Sequence, residues 1–131
     1  MAAVGGIIRA HPRFSTAYGV LASMQRDTGD LAGAIGTLEN VVRREMADSS
    51  VMVVLAGYLQ EAGAVERSAE LLEAVIATRP DYADAYNSLG VVSSRMGQHA
   101  RAQTAFRKVI ELDPTSATAY ENLGEIGRAH V

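Results

Sequence analysis

The sequence repeats itself every 34 residues, and this period limits the chain to a row of similar units. Four independent columns keep the step. They hold glycine (Gly29, Gly63, Gly97), leucine (Leu21, Leu55, Leu89, Leu123), tyrosine or methionine (Tyr18, Met52, Tyr86, Tyr120), and proline or methionine (Pro12, Met46, Pro80, Pro114). Columns in register over nearly the whole chain predict a repeat architecture in which each unit packs on its neighbours.

The unit at residues 83–116 indicates what each repeat folds into. Apolar and small residues occur at spacings of three and four in two stretches, from Ala85 to Met96 and from Ala102 to Leu112. That spacing places them on one face of a helix. Between the stretches, Gly97 can adopt the left-handed conformation that ends a helix, and Pro114 cannot donate the bond that would continue one. Each unit is therefore predicted to be a helical hairpin.

The same unit resembles a tetratricopeptide repeat. The residues that carry the resemblance are Tyr86, Leu89, Gly90, Gly97, Ala102, Phe106, Val109 and Pro114. The resemblance implies an all-α fold, a right-handed α-solenoid of antiparallel helix hairpins with three full repeats, a half repeat at each end and about eight helices. The segments GDLAGAIGTLENVV and GQHARAQTAFRKVIELDP resemble those of bacterial members, and we expect a fragment of a longer repeat protein.

The period also divides the chain. We predict the second helix of a truncated preceding repeat in residues 1–14, full repeats in 15–48, 49–82 and 83–116, the start of a further repeat in 117–125, and a non-native tail in 126–131. Residues 126–131 are predicted to be non-native because a DNA string that would encode them resembles the start of a sequencing adapter. In the first repeat Met46 replaces the expected proline, so its second helix is predicted to run to about Ala47. Asp48, Ser49 or Ser50 would then cap the next helix.

Composition argues against several classes of function. The net charge of −3 argues against a nucleic-acid partner, and a chain without cysteine has no disulfides or thiolate metal site. The longest apolar run, 51–59, is about half of what a membrane span needs, and no secretory signal is evident. His11, His99 and His130 have no partner at metal-ligand or triad spacing. We predict no catalytic, cofactor-binding or metal-binding residue and no enzymatic activity; the compartment stays open.

The resemblance implies a protein or peptide partner held on a concave face, which the first helix of each repeat would line. The implied contact residues are Ser23, Arg26, Val53, Val54, Gln60, Glu61, Asp84, Asn87, Val91, Arg95, Glu121 and Asn122. Val53, Val54 and Val91 suggest an apolar strip with charges around it. Repeats that clamp a terminal carboxylate use Lys, Asn and Arg at slots that here hold Gly19, Ser23, Val54, Asp84 and Ser88. A carboxylate clamp is therefore not supported.

Three alternatives remain for the function. The first is an interaction or scaffolding module that binds a peptide or a partner helix. The second is a non-catalytic appendage of a larger bacterial enzyme, such as a sulfatase-like hydrolase or a transferase, that positions substrate or holds oligomers. The third is a helical spacer. Neither end has a polar capping repeat, which leaves Val4, Ile7 and Ile8 exposed at one end and Tyr120 and Leu123 without an outer partner at the other. We therefore also expect the chain to fray at both ends or to associate end to end.

Overall fold

The computed structural model describes residues 14–44 and 48–130, with side chains described from residue 16 to residue 124. Within these ranges the chain is all-helical. Its helices are α1 (Phe14–Asp27), α2 (Leu31–Arg43), α3 (Ser49–Glu61), α4 (Val65–Thr78), α5 (Ala83–Arg95), α6 (His99–Leu112) and α7 (Ala117–His130). The eighth helix, predicted before residue 14, lies outside the described residues, as do Val4, Ile7 and Ile8. Two compact units are present, residues 1–63 with α1–α3 and residues 64–131 with α4–α7.

Glycines with positive φ end the first helix of each predicted repeat. Gly29, Gly63 and Gly97 have φ of 92°, 87° and 77°. In this region a side chain with a Cβ is strained, so glycine is the residue that fits the turn. The Gly97 N–H donates to the Ser94 carbonyl at 3.0 Å, which closes the end of α5. The predicted role of Gly97 is therefore confirmed.

In the first unit, α1 packs against α2, and α2 packs against α3. The core is made of small and aliphatic side chains from all three helices: Ala22, Ala34, Leu38, Val41, Val51, Leu55, Ala56 and Leu59. The short connection after α1 makes α1 and α2 an antiparallel hairpin. This core leaves the outward side of α1 and α3 to solvent, where the candidate site lies.

Aspartate caps begin α2 and α3. The Asp30 carboxylate accepts a hydrogen bond from the Gly33 N–H at 2.9 Å, and Asp48 accepts one from the Val51 N–H at 2.9 Å. The predicted cap at Asp48 is confirmed, but the predicted extension of α2 to about Ala47 is wrong. The helix ends at Arg43, so the break comes before the segment that leads to the Asp48 cap.

In the second unit, the ring of Phe106 packs directly on the backbone of α5. A Cβ at Gly90 would lie 2.5–2.8 Å from three ring carbons of Phe106, so only glycine lets the ring approach this closely. Val91 and Leu123 pack against the buried pair Ala102 and Phe106. Leu123 is half-buried because α7 packs on α6, whereas Tyr120 is 54% exposed.

Candidate partner-binding surfaces

The first unit contains an open cavity of about 370 Å³ between α1 and α3, called here the first-unit groove. Its lining residues are Thr16, Gly19, Val20, Ser23, Leu38, Asp48, Ser50, Val51, Val54 and Tyr58. Val20 is 56% exposed and Val54 is 42% exposed, whereas Leu38 and Val51 are buried. The groove therefore has an aliphatic floor and exposed valine walls, and hydroxyl groups surround it.

The repeat explains why the two valine walls face the same groove. Val20 on α1 and Val54 on α3 are 34 residues apart and occupy the same repeat slot. The groove is open in front of Gly19, because a Cβ there would meet nothing within 4 Å. Leu38 enters from α2, the second helix of the hairpin, and supplies the floor. An aliphatic side chain of a partner could bury itself against this surface.

An ion pair lies beside the groove and joins α1 to α3. The Nε and Nη2 atoms of Arg26 donate to Oε1 of Glu61 at 2.9 and 2.7 Å, and Nε also approaches Oε2 at 3.1 Å. The hydrogen bonding with Glu61, and then the charge of Glu61, raise the pKa of the Arg26 guanidinium above its usual value. The guanidinium carbon lies 5.9 Å from the centroid of the Tyr58 ring, which lines the groove. Arg26 and Glu61 are thus paired with each other.

The charge around the first-unit groove is acidic. Asp48 is the one charged residue among those that line it. Next to Tyr58, Arg26 pairs with Glu61 and lies 3.5 Å from the Asp27 carboxylate. Three carboxylates thus accompany a single guanidinium. A cationic partner segment complements this charge better than an acidic one does.

The structure brings some of the predicted contact residues together and separates others. Ser23 and Val54 line the groove, Arg26 and Glu61 lie beside it, and Val53 and Gln60 are half-buried next to it in sequence. In the second unit Val91 packs against Ala102 and Phe106, so it contributes to the core. The other predicted contacts there, Asp84, Asn87, Arg95, Glu121 and Asn122, are half-buried or exposed, and their role in binding stays a prediction.

Several lining residues were not among the predicted contacts. Val20 could have been found, because it occupies the slot of Val54 one period earlier. Leu38, Asp48 and Tyr58 carry no such signal, since the prediction considered only the inward slots of the first helices. Leu38 comes from a second helix, and Asp48 precedes a helix as its cap.

The described residues contain no group of three or more His, Asp or Glu side chains that could hold a metal ion. Among the same residues, no helix combines the length and the apolar character that a membrane crossing requires.

Antiparallel helix hairpins at a 34-residue period define a helical-repeat protein. A family profile described as tetratricopeptide repeat matches residues 83–116. The crystal structure of MamA is 26% identical, with a TM-score of 0.80 over 98% of this chain and 75% of that one. The first tetratricopeptide domain of human RPAP3 is 16% identical, with a TM-score of 0.83 over 91% of this chain and 94% of that one. Residues 83–116 thus form a tetratricopeptide repeat, and the predicted fold class is confirmed.

A further match comes from a much longer protein. The chain is 23% identical over 126 residues to the protein O-mannosyl-transferase TMTC1 of Mus musculus. The aligned region covers 93% of this chain and 13% of that protein. The chain therefore spans a small part of this relative.

Proposed function

We propose that the chain is a protein-interaction module and that its first-unit groove binds an extended peptide segment of a partner protein. The observation that carries the proposal is the aliphatic groove between Val20 and Val54, which is open to solvent and floored by buried Leu38. Monomeric proteins seldom leave such a concave apolar surface without a use, and its volume is in the range that takes one or two side chains. Tetratricopeptide repeats are, moreover, generally non-catalytic interaction modules.

The partner segment we propose has an aliphatic residue flanked by lysine or arginine. The aliphatic side chain would lie between Val20 and Val54, and the flanking cations would approach Asp48 at one side and Asp27 at the other. The hydroxyl groups of Thr16, Ser23 and Ser50 can bond the peptide backbone. These contacts favour a neutral or basic segment.

The structural relatives bind a different kind of peptide. A structure of the first RPAP3 domain, 16% identical, contains the HSP90 peptide SRMEEVD, and one of the second RPAP3 domain contains the HSP70 peptide SGPTIEEVD. Both peptides are acidic at their carboxyl end. The first-unit groove is lined by no lysine or arginine, and its one charged lining residue is Asp48. We therefore propose that the groove shares the fold of those domains without their preference for acidic ends.

A nuclear magnetic resonance titration tests the proposal. The ¹⁵N-labelled chain is titrated with the capped peptide Lys-Lys-Leu-Lys-Lys and with its acidic counterpart Glu-Glu-Leu-Glu-Glu. Saturable shifts of the amides of α1 and α3 with the basic peptide are expected at about millimolar concentration, because one anchor side chain gives only a few kcal/mol. Equal shifts of the α1 and α3 amides with both peptides, or no shifts of these amides up to about 5 mM, would contradict the proposal.

A matched pair of variants locates the binding. Val54→Asn replaces a groove wall with a smaller, polar side chain, and Met24→Gln replaces an apolar side chain with a polar one at an exposed α1 residue that does not line the groove. We expect Val54→Asn to weaken binding of the basic peptide by about tenfold, because burial of a valine is worth about 1.5 kcal/mol or more. Met24→Gln should leave the affinity unchanged. Similar losses in both variants would place the binding elsewhere.

A second candidate function is supported by the match to a mannosyl-transferase. The chain resembles 13% of that protein, and the second proposal is that it is a non-catalytic segment of a larger enzyme that positions substrate or holds oligomers. Sequencing the gene outward from the codons for residues 83–116 separates the two candidates. A catalytic domain in the same frame supports the appendage, whereas further repeats alone support the scaffold.

We also propose that copies of the chain associate end to end. Leu21 and Met24 on α1 and Tyr120 on α7 are exposed apolar side chains on the first and last described helices. Sedimentation velocity at increasing concentration should show a rising weight-average mass, and the double change Leu21→Ser with Tyr120→Ser should abolish the rise. A concentration-independent monomer would refute this proposal.

A further inference from the structure

The second unit contains a cavity of different chemistry, called here the second-unit cavity. It has an open volume of about 530 Å³ between α5 and α6. Its lining residues are Tyr86, Leu89, Arg101, Thr104, Ala105, Arg107, Lys108 and Glu111. None of these is a predicted contact on the first helices, and six of the eight belong to α6, the second helix of its hairpin.

The floor of the second-unit cavity is apolar and held in place. Leu89 and Ala105 are buried beneath it, and Tyr86 forms a wall. The Tyr86 hydroxyl donates to the Pro80 carbonyl at 2.8 Å, which fixes the orientation of the ring. The cavity thus offers an ordered aromatic and aliphatic surface rather than a gap between mobile side chains.

The rim of the second-unit cavity is cationic. Arg101 donates from Nη1 to Oε1 of Gln98 at 3.0 Å and forms an ion pair with Glu73. Lys108 pairs with Glu111 at 3.3 Å. Arg107 is exposed and forms no ion pair within the described part of the chain. Three cations and one carboxylate line this cavity, and with Glu73, which pairs with Arg101, the local charge is still positive in a chain whose net charge is −3.

We propose that the second-unit cavity binds an acidic segment of a partner protein, anchored by one aliphatic or aromatic side chain. The anchor would pack on Tyr86 and Leu89, and neighbouring carboxylates would pair with Arg107 and Arg101. Guanidinium groups suit this role because they bind carboxylates with two parallel hydrogen bonds. This site is separate from the first-unit groove and has the opposite charge preference, so the inference does not depend on the proposed function.

The experiment uses the ¹⁵N-labelled chain and the capped peptide Glu-Glu-Leu-Glu-Glu as probe. We expect saturable shifts of the amides of α6 and of the segment around Tyr86, weakening severalfold as NaCl rises from about 20 to about 200 mM, because salt screens exposed charge pairs. A single-stranded DNA of equal charge is the comparison probe. Equal affinity for the DNA would overturn the proposal, since it would indicate attraction to any polyanion.

Two variants and one control assign the contact. Arg107→Glu should weaken binding of the acidic peptide about tenfold at low salt, since it replaces an attraction by a repulsion at the rim. Arg43→Glu makes the same charge change at an exposed residue of the first unit and should have no effect. Thr104→Trp, at an exposed rim position, should block the cavity without changing charge. Undiminished binding in either Arg107→Glu or Thr104→Trp, with helix content confirmed by circular dichroism, would overturn the proposal.

Discussion

Replacing Gly90 by alanine tests the packing that defines the second unit. Alanine is the better helix former, and in a mid-helix position it should stabilise by roughly 1 kcal/mol. Gly90 lies inside α5, but a Cβ there would come within 2.5–2.8 Å of Cε1, Cζ and Cδ1 of Phe106. Phe106 is 1% exposed, so its ring has no free space into which to move. Helix propensity therefore predicts that Gly90→Ala raises the free energy of unfolding, whereas packing predicts that it lowers it.

The packing effect should be the larger one. Inserting a methyl group into a filled core costs about 1–3 kcal/mol, which exceeds the gain of about 1 kcal/mol from propensity. We expect a net loss of up to about 2 kcal/mol in the free energy of unfolding, with about 1 kcal/mol at the middle of the range. With a urea dependence of about 2 kcal/mol per molar, the midpoint should fall by roughly 0.5 M, and by up to about 1 M.

Urea unfolding followed by circular dichroism measures the change, with Gly36→Ala as the matched control. Gly36 is also inside a helix, but a Cβ there meets nothing within 4 Å, so the midpoint should rise. Phe106→Leu in the Gly90→Ala background should recover part of the loss, because the smaller side chain leaves room for the methyl group. A Gly90→Ala chain as stable as the Gly36→Ala chain would refute the assigned contact.

Three further substitutions address the turns, the caps and the ion pair. Gly97→Ala should lower the free energy of unfolding by roughly 1–2 kcal/mol, since φ at this residue is 77°, and thermal unfolding measures it. Asp30→Ala removes the acceptor for the Gly33 N–H and should cost about 1 kcal/mol, with hydrogen exchange accelerated in the first turn of α2. Glu61→Gln breaks the exposed pair with Arg26 and should lower the thermal midpoint only slightly at low salt. That difference should vanish at about 1 M NaCl, and a larger effect that persists there would contradict the assignment.

The fold follows from the sequence because its determinants are local and repeated. Gly97 was predicted to end a helix, and its positive φ confirms it. Gly90 and Phe106 were recognised as repeat slots, and the structure gives the reason, since the ring lies on the glycine backbone. The end of α2 was predicted too late, because the missing proline was taken as the only stop signal, whereas the helix ends at Arg43 without one.

The candidate sites follow from the sequence only in part. Ser23 and Val54 were predicted from inward slots and do line the first-unit groove. The pair of Arg26 with Glu61 joins residues 35 apart, and its geometry depends on side-chain rotamers that a repeat slot does not determine. The second-unit cavity was not predicted. Its charged residues belong to α6, a second helix, whereas the family resemblance implies contacts on the first helix of each repeat.

The slot occupied by Val20 and Val54 explains why the valine-walled groove of the first unit has no aliphatic counterpart on the first helices of the second unit. One and two periods after Val54, the same slot holds Ser88 and Asn122. The leucine column one residue further on is unchanged throughout, and Leu55 and Leu89 in it are buried, whereas Val20 and Val54 are exposed, so their slot is free to vary. Ser88 and Asn122 offer hydrogen bonds but no aliphatic wall. A basic peptide that loses its leucine should therefore lose affinity for the first-unit groove.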